Sequence, residues 1–442
     1  MGEFLFQTSY KIIEPNLVIN MHFAITTYGS RGDVQPFVSL ALGLMDNGHQ
    51  VTLLAPGNFK EFVNGYGVNF YALHGNIEEI VHSPEGLRVL KTGNTFSLLR
   101  YMQKAVRKLQ PVINNDILSG CADADVIISS VLCIQWVKAI AEKLNKSWGV
   151  IQFQPPTSPT KAFPFVGLNF FNFPNYNLFT YWLLGVINWS LNKREINKFR
   201  ISLGLKSLKR PTFGSLRSEN ILNLYCFSQL LIKRPDDWPS NTHITGFMTL
   251  ADRKTTYVLR QVDEILLRWI EDGEKPVYIG FGSIPIPDPE LFSAILIEII
   301  QKNNIRVVLC KGWTILPGIP SHPNLFVLDS VNHEWLLPKC SSAIIHGGAG
   351  TLAAVLNAQI PLVIISVFGD QPWWGSIIEN KRLGIHIPFK QITTAKILDA
   401  LYIIQTDEYL NNTRKMGDEI QLENGLQHTV KMLEDYFVAQ SL

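Results

Sequence analysis

His346 closes the apolar run Ala343 to Ile345, and behind it come Gly347, Gly348, Gly350 and Thr351, where a helix-forming segment begins. Strand, glycine turn and helix start in that order make an anion site. The first amides of a helix have no partner inside it, its dipole favours negative charge, and glycine lets the backbone approach a phosphate. An imidazole at the strand end adds a polar group, although a histidine in such a place also serves as a satisfied structural residue. A second buried strand, Pro361 to Ser366, leads to Asp370 and Gln371 just ahead of Pro372, which suits the first turn of a helix. A carboxylate and an amide there can read sugar hydroxyls or cap that helix. Near the start of the chain, Asp33 follows a glycine turn at the C-terminal edge of the strand Met21 to Thr27, where ligands bind in open α/β sheets. It reads as a general base or as a cap for a helix that Pro36 opens. Losing a base costs about 10²- to 10⁴-fold in rate, whereas losing a cap costs roughly 0.5–2 kcal/mol of stability. Ser283, in the turn after the strand Val277 to Phe281, donates to a phosphate on one reading and caps its turn on the other.

To hold these residues the chain must supply strands that end beside one another. From Met21, short apolar strands alternate with amphipathic helices: Met21 to Thr27, Val51 to Ala55, Val68 to Leu73, Val126 to Ser129, Val150 to Phe153 and Ile221 to Tyr225. A second series runs through Val277 to Phe281, Arg306 to Leu309, Leu325 to Leu328, Ala343 to Ile345 and Leu362 to Ile365. Such alternation predicts doubly wound parallel sheets. The fold class expected is α/β, with two Rossmann-like domains, and 442 residues exceed what one core usually organises. The expected divisions are an extension at 1–20, a first domain at 21–240, a linker at 241–256, a second domain at 257–421 and a closing helical segment at 422–442.

Net charge is only +2, without a basic run, so nothing electrostatic suggests a nucleic-acid partner. The five cysteines are scattered without a CxxC pair or a histidine cluster at metal-ligand spacing, a pattern that fits a reduced, metal-free cytosolic protein. Residues 1–20 lack the apolar stretch and cleavage site of a secretory signal, and Met21 reads as the natural start. GSRGD at Gly29 to Asp33 lacks the GxGxxG spacing, and no ribose-binding acid follows the second strand, which argues against a nicotinamide oxidoreductase.

One stretch breaks the rhythm. Phe163 to Trp189 is crowded with aromatics, yet its apolar core, Leu178 to Ile187, falls short of the about 20 residues that span a bilayer. It reads either as a core helix with its preceding loop or as the wall of a lipophilic pocket, with Phe163, Phe171, Phe173, Tyr181 and Trp182 as lining candidates and a surface that touches membranes. Trp373 and Trp374 either shape a ligand edge or pack inside.

Three motifs carry a family resemblance: GSRGDVQPF at Gly29 to Phe37, FGSIP at Phe281 to Pro285, and HGGAGT at His346 to Thr351 followed by FGDQPWWG at Phe368 to Gly375. In this order, over nearly the whole chain, they resemble the inverting, nucleotide-sugar-dependent glycosyltransferases of the GT-B fold in the UDP-glycosyltransferase superfamily. The branch most resembled holds sterol glucosyltransferases and antibiotic glycosyltransferases. The resemblance implies domains facing each other across a cleft and a closing helix that packs back on the first domain. It implies Asp33 as base, a diphosphate cradle of His346, Gly348, Gly350, Thr351 and Ser283, and sugar contacts from Asp370 and Gln371. Plant and animal relatives use a histidine backed by an acid beyond a later strand; here that strand ends at Ser129 and Ser130 with no acid. Plant relatives also stack the nucleobase on a tryptophan, whose place near Ser330 offers no ring, so Trp313 is the nearest substitute. The resemblance further implies UDP-glucose as donor substrate without other cofactor, a sterol or terpenoid hydroxyl as acceptor at an edge that Trp374 helps to form, and a cytoplasmic location with peripheral membrane contact. Open alternatives are a dTDP- or UDP-sugar transferase for a natural-product aglycone, a nucleotide-sugar epimerase, and a lapsed transferase that only binds lipid.

Overall fold

The computed structural model describes residues 20–91, 95–211, 216–250, 264–283, 286–314 and 316–438. Seven short strands, β1 (His22–Thr26), β2 (Gln50–Pro56), β3 (Asn69–Leu73), β4 (Val126–Ser130), β5 (Ser147–Gln152), β6 (Asn223–Tyr225) and β7 (Thr242–Ile244), form a parallel sheet in the order β3-β2-β1-β4-β5-β6-β7. A second parallel sheet, in the order β10-β9-β8-β11-β12-β13, comprises β8 (Val277–Gly280), β9 (Val307–Cys310), β10 (Leu325–Leu328), β11 (Ser342–Ile345), β12 (Leu362–Ser366) and β13 (Gly384–Pro388). Helices cover both faces of each, so β4, β8, β11 and β12 are buried at every residue. That double burial explains why they read as continuous apolar runs instead of alternating ones.

Each sheet reverses its strand order once, between β1 and β4 in the first and between β8 and β11 in the second. At such a switch point adjacent loops diverge to opposite faces and leave a crevice at the C-terminal strand ends. Asp33 follows β1, Ser283 follows β8 and His346 follows β11, so the chemistry-bearing residues leave the sheets at these two crevices.

Three boundaries differ from the sequence expectation. β7 lies inside the stretch expected as linker, because its three residues complete the first sheet against β6; residues 251–263 lie outside those described. β13 was not expected: its five residues, GIHIP, are too few to display a period, and pairing with β12 makes them a strand. The closing helix, expected from 422, starts at Gly425 and runs to Phe437, set off from the helix Asp407–Leu422 by Asn424 with a left-handed φ of 47°. The leader 1–19 also lies outside the described residues.

The helix Gly425–Phe437 belongs to the core of the first sheet. Val430, Leu433 and Phe437 are buried with Phe23, Phe37 and Leu44, and Phe437 meets Phe23 edge-on at 6.5 Å. Gly43 permits that approach, since a Cβ there would lie 3.0 Å from Leu426 and Val430. Where the chain returns to the first domain, Gly246 and Gly425 touch backbone to backbone: a Cβ on Gly246, at φ 101°, would come within 2.9 Å of the Gly425 Cα.

Candidate active site

Asp33 is the third residue of the helix Arg31–Asp46, which therefore opens five residues earlier than expected and carries Pro36 inside it. Its Oδ2 accepts the Ser30 backbone N–H at 2.8 Å and the Ser30 hydroxyl at 3.2 Å, while its Oδ1 accepts the Gln154 side-chain amide at 3.2 Å. One oxygen thus braces the helix start, and the other retains a lone pair at the cavity that Asp33 and Gln154 both line. Capping and base positions coincide in one carboxylate. Gly29 makes this possible: at φ 150°, with any Cβ only 2.2 Å from Asp33 Oδ2, the position excludes a side chain. Burial pushes the carboxyl up to about 6, against the pull of the two Ser30 hydrogen bonds, and Asp370 across the cleft adds a smaller upward push.

On the opposite wall His346 is buried, and burial lowers its pKa to about 4, so the ring is neutral near pH 7. Among the described residues its Nδ1 makes no hydrogen bond of good geometry, although the Gly280 backbone partly offsets the fall in pKa, and its Nε2 is turned to the glycine turn, only 2.4 Å from where a Cβ on Gly348 would sit. The helix Ala349–Asn357 starts immediately there, with Gly348 as N-cap and no side chain capping it. Its first amides are free for an anion in the manner expected of a helix start. Gly348, Gly350 and Thr351 line the same cavity, as does Ser283, which caps no helix: the next one begins at Pro289 with Asp288 as its cap.

Asp370 precedes the helix Gln371–Asn380 without capping it; its Oδ2 accepts the Trp374 indole N–H at 3.0 Å, and burial raises its pKa. Gln371 Oε1 accepts the Val367 and Phe368 backbone amides at 2.7 and 3.2 Å. With its oxygen so fixed, the NH₂ of Gln371 is the end left to donate. Both residues line the cavity.

That cavity, about 1620 Å³, lies between the two sheets' C-terminal edges and joins all the polar candidates. The six residues expected at its lipophilic end are elsewhere. Trp374 is fully buried in a cluster shared by the two domains, edge-on to Phe227 at 5.7 Å. Phe163 packs against the same cluster, and Tyr181 is buried edge-on to Phe165. Phe171, Phe173 and Trp182 face outward, each at least half exposed. The lipophilic lining comes instead from Phe59, Phe62, Met102, Val106, Trp136 and Phe199, several of them on the helices Thr95–Gly120 and Pro174–Ser202. The far half of the suspected helix, beyond its aromatic start, reaches the cavity. Trp313 lines the cleft, but its carbonyl lies 2.7 Å from His82 Nε2 and its ring meets His82 edge-on, tying the second domain to the first.

Sequence reading missed Gln154, two residues beyond β5, because a glutamine in a loop carries no periodic signal. It also missed Arg31, which lies over the Phe62 ring at 4.7 Å and bonds Gln35, and the pair His333 and Glu334 after β10. His333 is pushed down to about 4, chiefly by burial and then by the Arg31 charge; it is 2.8 Å from the Tyr278 hydroxyl. Burial raises the Glu334 carboxyl. The charged residue inside GSRGD was the available signal for Arg31.

Residues 23–164 match the glycosyltransferase family 28 N-terminal domain, and residues 312–435 match the erythromycin biosynthesis protein CIII-like C-terminal domain. The chain has the GT-B fold, with a glycosyltransferase model matched in its first half. Solved structures agree in fold: this GT-B chain superposes on the kitacinnamycin glycotransferase with a TM-score of 0.68 at 14% identity, covering 94% of this chain and 98% of that one. The spinosyn forosaminyltransferase SpnP gives 0.67 at 14% identity over 95% and 100%. In sequence it is 32% identical over 425 residues to sterol 3-beta-glucosyltransferase UGT80A2 of Arabidopsis thaliana, covering 93% of this chain and 65% of that protein. It is 30% identical over 427 residues to the sterol 3-beta-glucosyltransferase of Emericella nidulans, covering 92% of this chain and 29% of that protein. The chain therefore spans about two thirds of the plant relative and less than a third of the fungal one.

Proposed function

We propose that this chain transfers glucose from UDP-glucose, with inversion, to the hydroxyl of a sterol or similarly lipophilic alcohol met at a membrane surface. The observation that carries the reading is the shared cavity. It sets a carboxylate of raised pKa, Asp33, against an uncapped helix start with a neutral histidine beside it. The names of the plant and fungal relatives support the sterol and glucose assignments.

The acceptor hydroxyl gives its proton to Asp33 Oδ1 as its oxygen attacks the anomeric carbon. The bond to the diphosphate breaks on the opposite face through an oxocarbenium-like state. A base with a pKa of about 6 is ionised at pH 7 yet still accepts a proton well, the compromise that general bases need. The departing diphosphate gains charge against the amides of Ala349 to Thr351, the Ser283 hydroxyl and His346, all fixed before the reaction and so needing little reorganisation. Asp370 and Gln371 hold sugar hydroxyls, and Trp374 fixes Asp370 from behind. Gln154 keeps Asp33 aimed.

The test is UDP release from UDP-glucose with and without a panel of sterols, triterpenoids and flavonoids, beside dTDP-glucose as competing donor. Sterol-stimulated release of UDP, with the β-linked glucoside as product, is expected. Release only from dTDP-glucose, or stimulation only by a polar aglycone, would refute the donor or acceptor assignment respectively.

A further inference from the structure

The helix Pro174–Ser202 has two working faces. Asn188, Asn192, Glu195 and Phe199, at steps of four, three and four residues, line the cavity. Phe179, Trp182, Val186 and Lys193, at steps of three, four and seven, are exposed on the opposite side. The loop before the helix adds Phe170, Phe171 and Phe173, with Phe170 76% exposed and Trp182 62%. These rings touch one another: Phe171 lies 6.3 Å from Phe173 and 5.4 Å from Tyr176, and Phe179 lies 5.8 Å from Trp182. Clustered exposed aromatics of this kind mark an interaction surface.

Charge says what it meets. The neighbouring helix Thr95–Gly120 bonds to this one through Arg107 to the Leu191 carbonyl at 3.2 Å, and it exposes Arg100, Lys104 and Lys108. Lys193 and Arg194 add two exposed cations on the aromatic helix itself, and none of the five forms an ion pair with a described residue. Among the described residues no helix is long and apolar enough to cross a membrane, so the face would lie on a bilayer and not in one.

We propose that the aromatic face of residues 170–191, with the exposed cations of its own helix and of the helix bonded to it, docks on an anionic phospholipid bilayer. One helix would then carry the lipid contact on one side and the acceptor cavity on the other. The lipophilic alcohol would enter from the bilayer beside Asn188 and Asn192 without crossing bulk water. This rests on the proposed function for its acceptor route but not for the docking itself.

Flotation with vesicles of phosphatidylcholine, alone and mixed with phosphatidylserine, tests it. Two triple variants serve: Phe171→Ser, Phe179→Ser, Trp182→Ser, and Arg100→Gln, Lys104→Gln, Lys108→Gln. Wild type is expected to float with the mixed vesicles. The cation variant is expected to bind roughly a hundredfold more weakly, about fivefold per charge, and the aromatic variant not at all. Both are expected to keep UDP release within twofold when the sterol is delivered in cyclodextrin, and to lose it in parallel with binding when the sterol is embedded in vesicles. Wild type that does not float, or variants that float like wild type, would overturn the proposal. So would a concentration-dependent dimer abolished by the aromatic variant in the absence of flotation, which assigns the face to a second copy. Flotation that follows the expected order while no sterol stimulates UDP release would uphold the surface and refute the function.

Discussion

Replacing Asp33 by asparagine separates the two roles its carboxylate combines. Asparagine keeps the size and can still accept the Ser30 backbone N–H, so the helix start loses at most part of a cap, roughly 0.5–1 kcal/mol. Against this stands the charge. Lifting the carboxyl from 3.8 to about 6 means that the folded protein holds it ionised at a cost of roughly 3 kcal/mol, at about 1.4 kcal/mol per pKa unit. The sign follows from linkage: the unfolded chain ionises first, so the cost is full above pH 6 and fades as pH falls from 6 towards 3.8. The variant is therefore expected to be about 2–2.5 kcal/mol more stable than wild type at pH 7.5 and no more stable near pH 4. The same substitution removes the base and is expected to lower kcat by about 10²- to 10⁴-fold. Urea unfolding at both pH values, beside acceptor-stimulated UDP release, reads both effects. Wild-type kcat should also fall tenfold per pH unit below about 6. A variant active within tenfold of wild type would refute the base assignment. One destabilised by more than about 2 kcal/mol at pH 7.5 would show Asp33 to be structural.

Three further substitutions probe other parts of the site. Gly348→Ala puts a methyl 2.4 Å from His346 Nε2 and must displace the ring; titration calorimetry should show UDP binding weakened tenfold or more, and unchanged affinity would exclude the cradle. Gln154→Leu removes the donor on Asp33 Oδ1, a hydrogen bond to a charged group worth about 1.5–3 kcal/mol. The acid limb of the pH–rate profile should move upward, with kcat falling more at pH 6 than at pH 8; an unmoved limb would refute the positioning role. Trp374→Ala empties a buried site between the domains and should cost about 3–5 kcal/mol in denaturant unfolding, a loss that a ligand-edge tryptophan would not show.

The polar half of the site was legible because its residues lie where local sequence already fixes direction. A strand end, a glycine turn and a helix start place His346, Gly348 and Thr351 whatever the rest of the chain does, and the same holds for Asp33 after β1. The lipophilic half was not legible. Phe171, Trp182 and Trp374 are alike in composition, but their surroundings come from residues far away in sequence. Phe227 buries Trp374, and nothing covers the outer side of Trp182. Periodicity gives the faces of the helix Pro174–Ser202 without saying which one looks inward, and the inward one carries asparagines beside Phe199. Gln154 meets Asp33 over a separation of 121 residues, a pairing set by the sheet order, which leaves only β4 between β1 and β5, and by no local signal.

Leu250 packs with the first sheet, and the chain comes back to that sheet at Glu423 to Gly425, where Gly425 presses against Gly246. The return to the first domain is thus braced against that domain's own chain at Gly246 and is not a free thread. Backbones in contact bend together more readily than they twist or shear apart, so this contact favours a swing of the domains about it. A methyl group at either glycine would wedge the backbones, and catalytic alignment far from the hinge would suffer with no residue of the cavity altered.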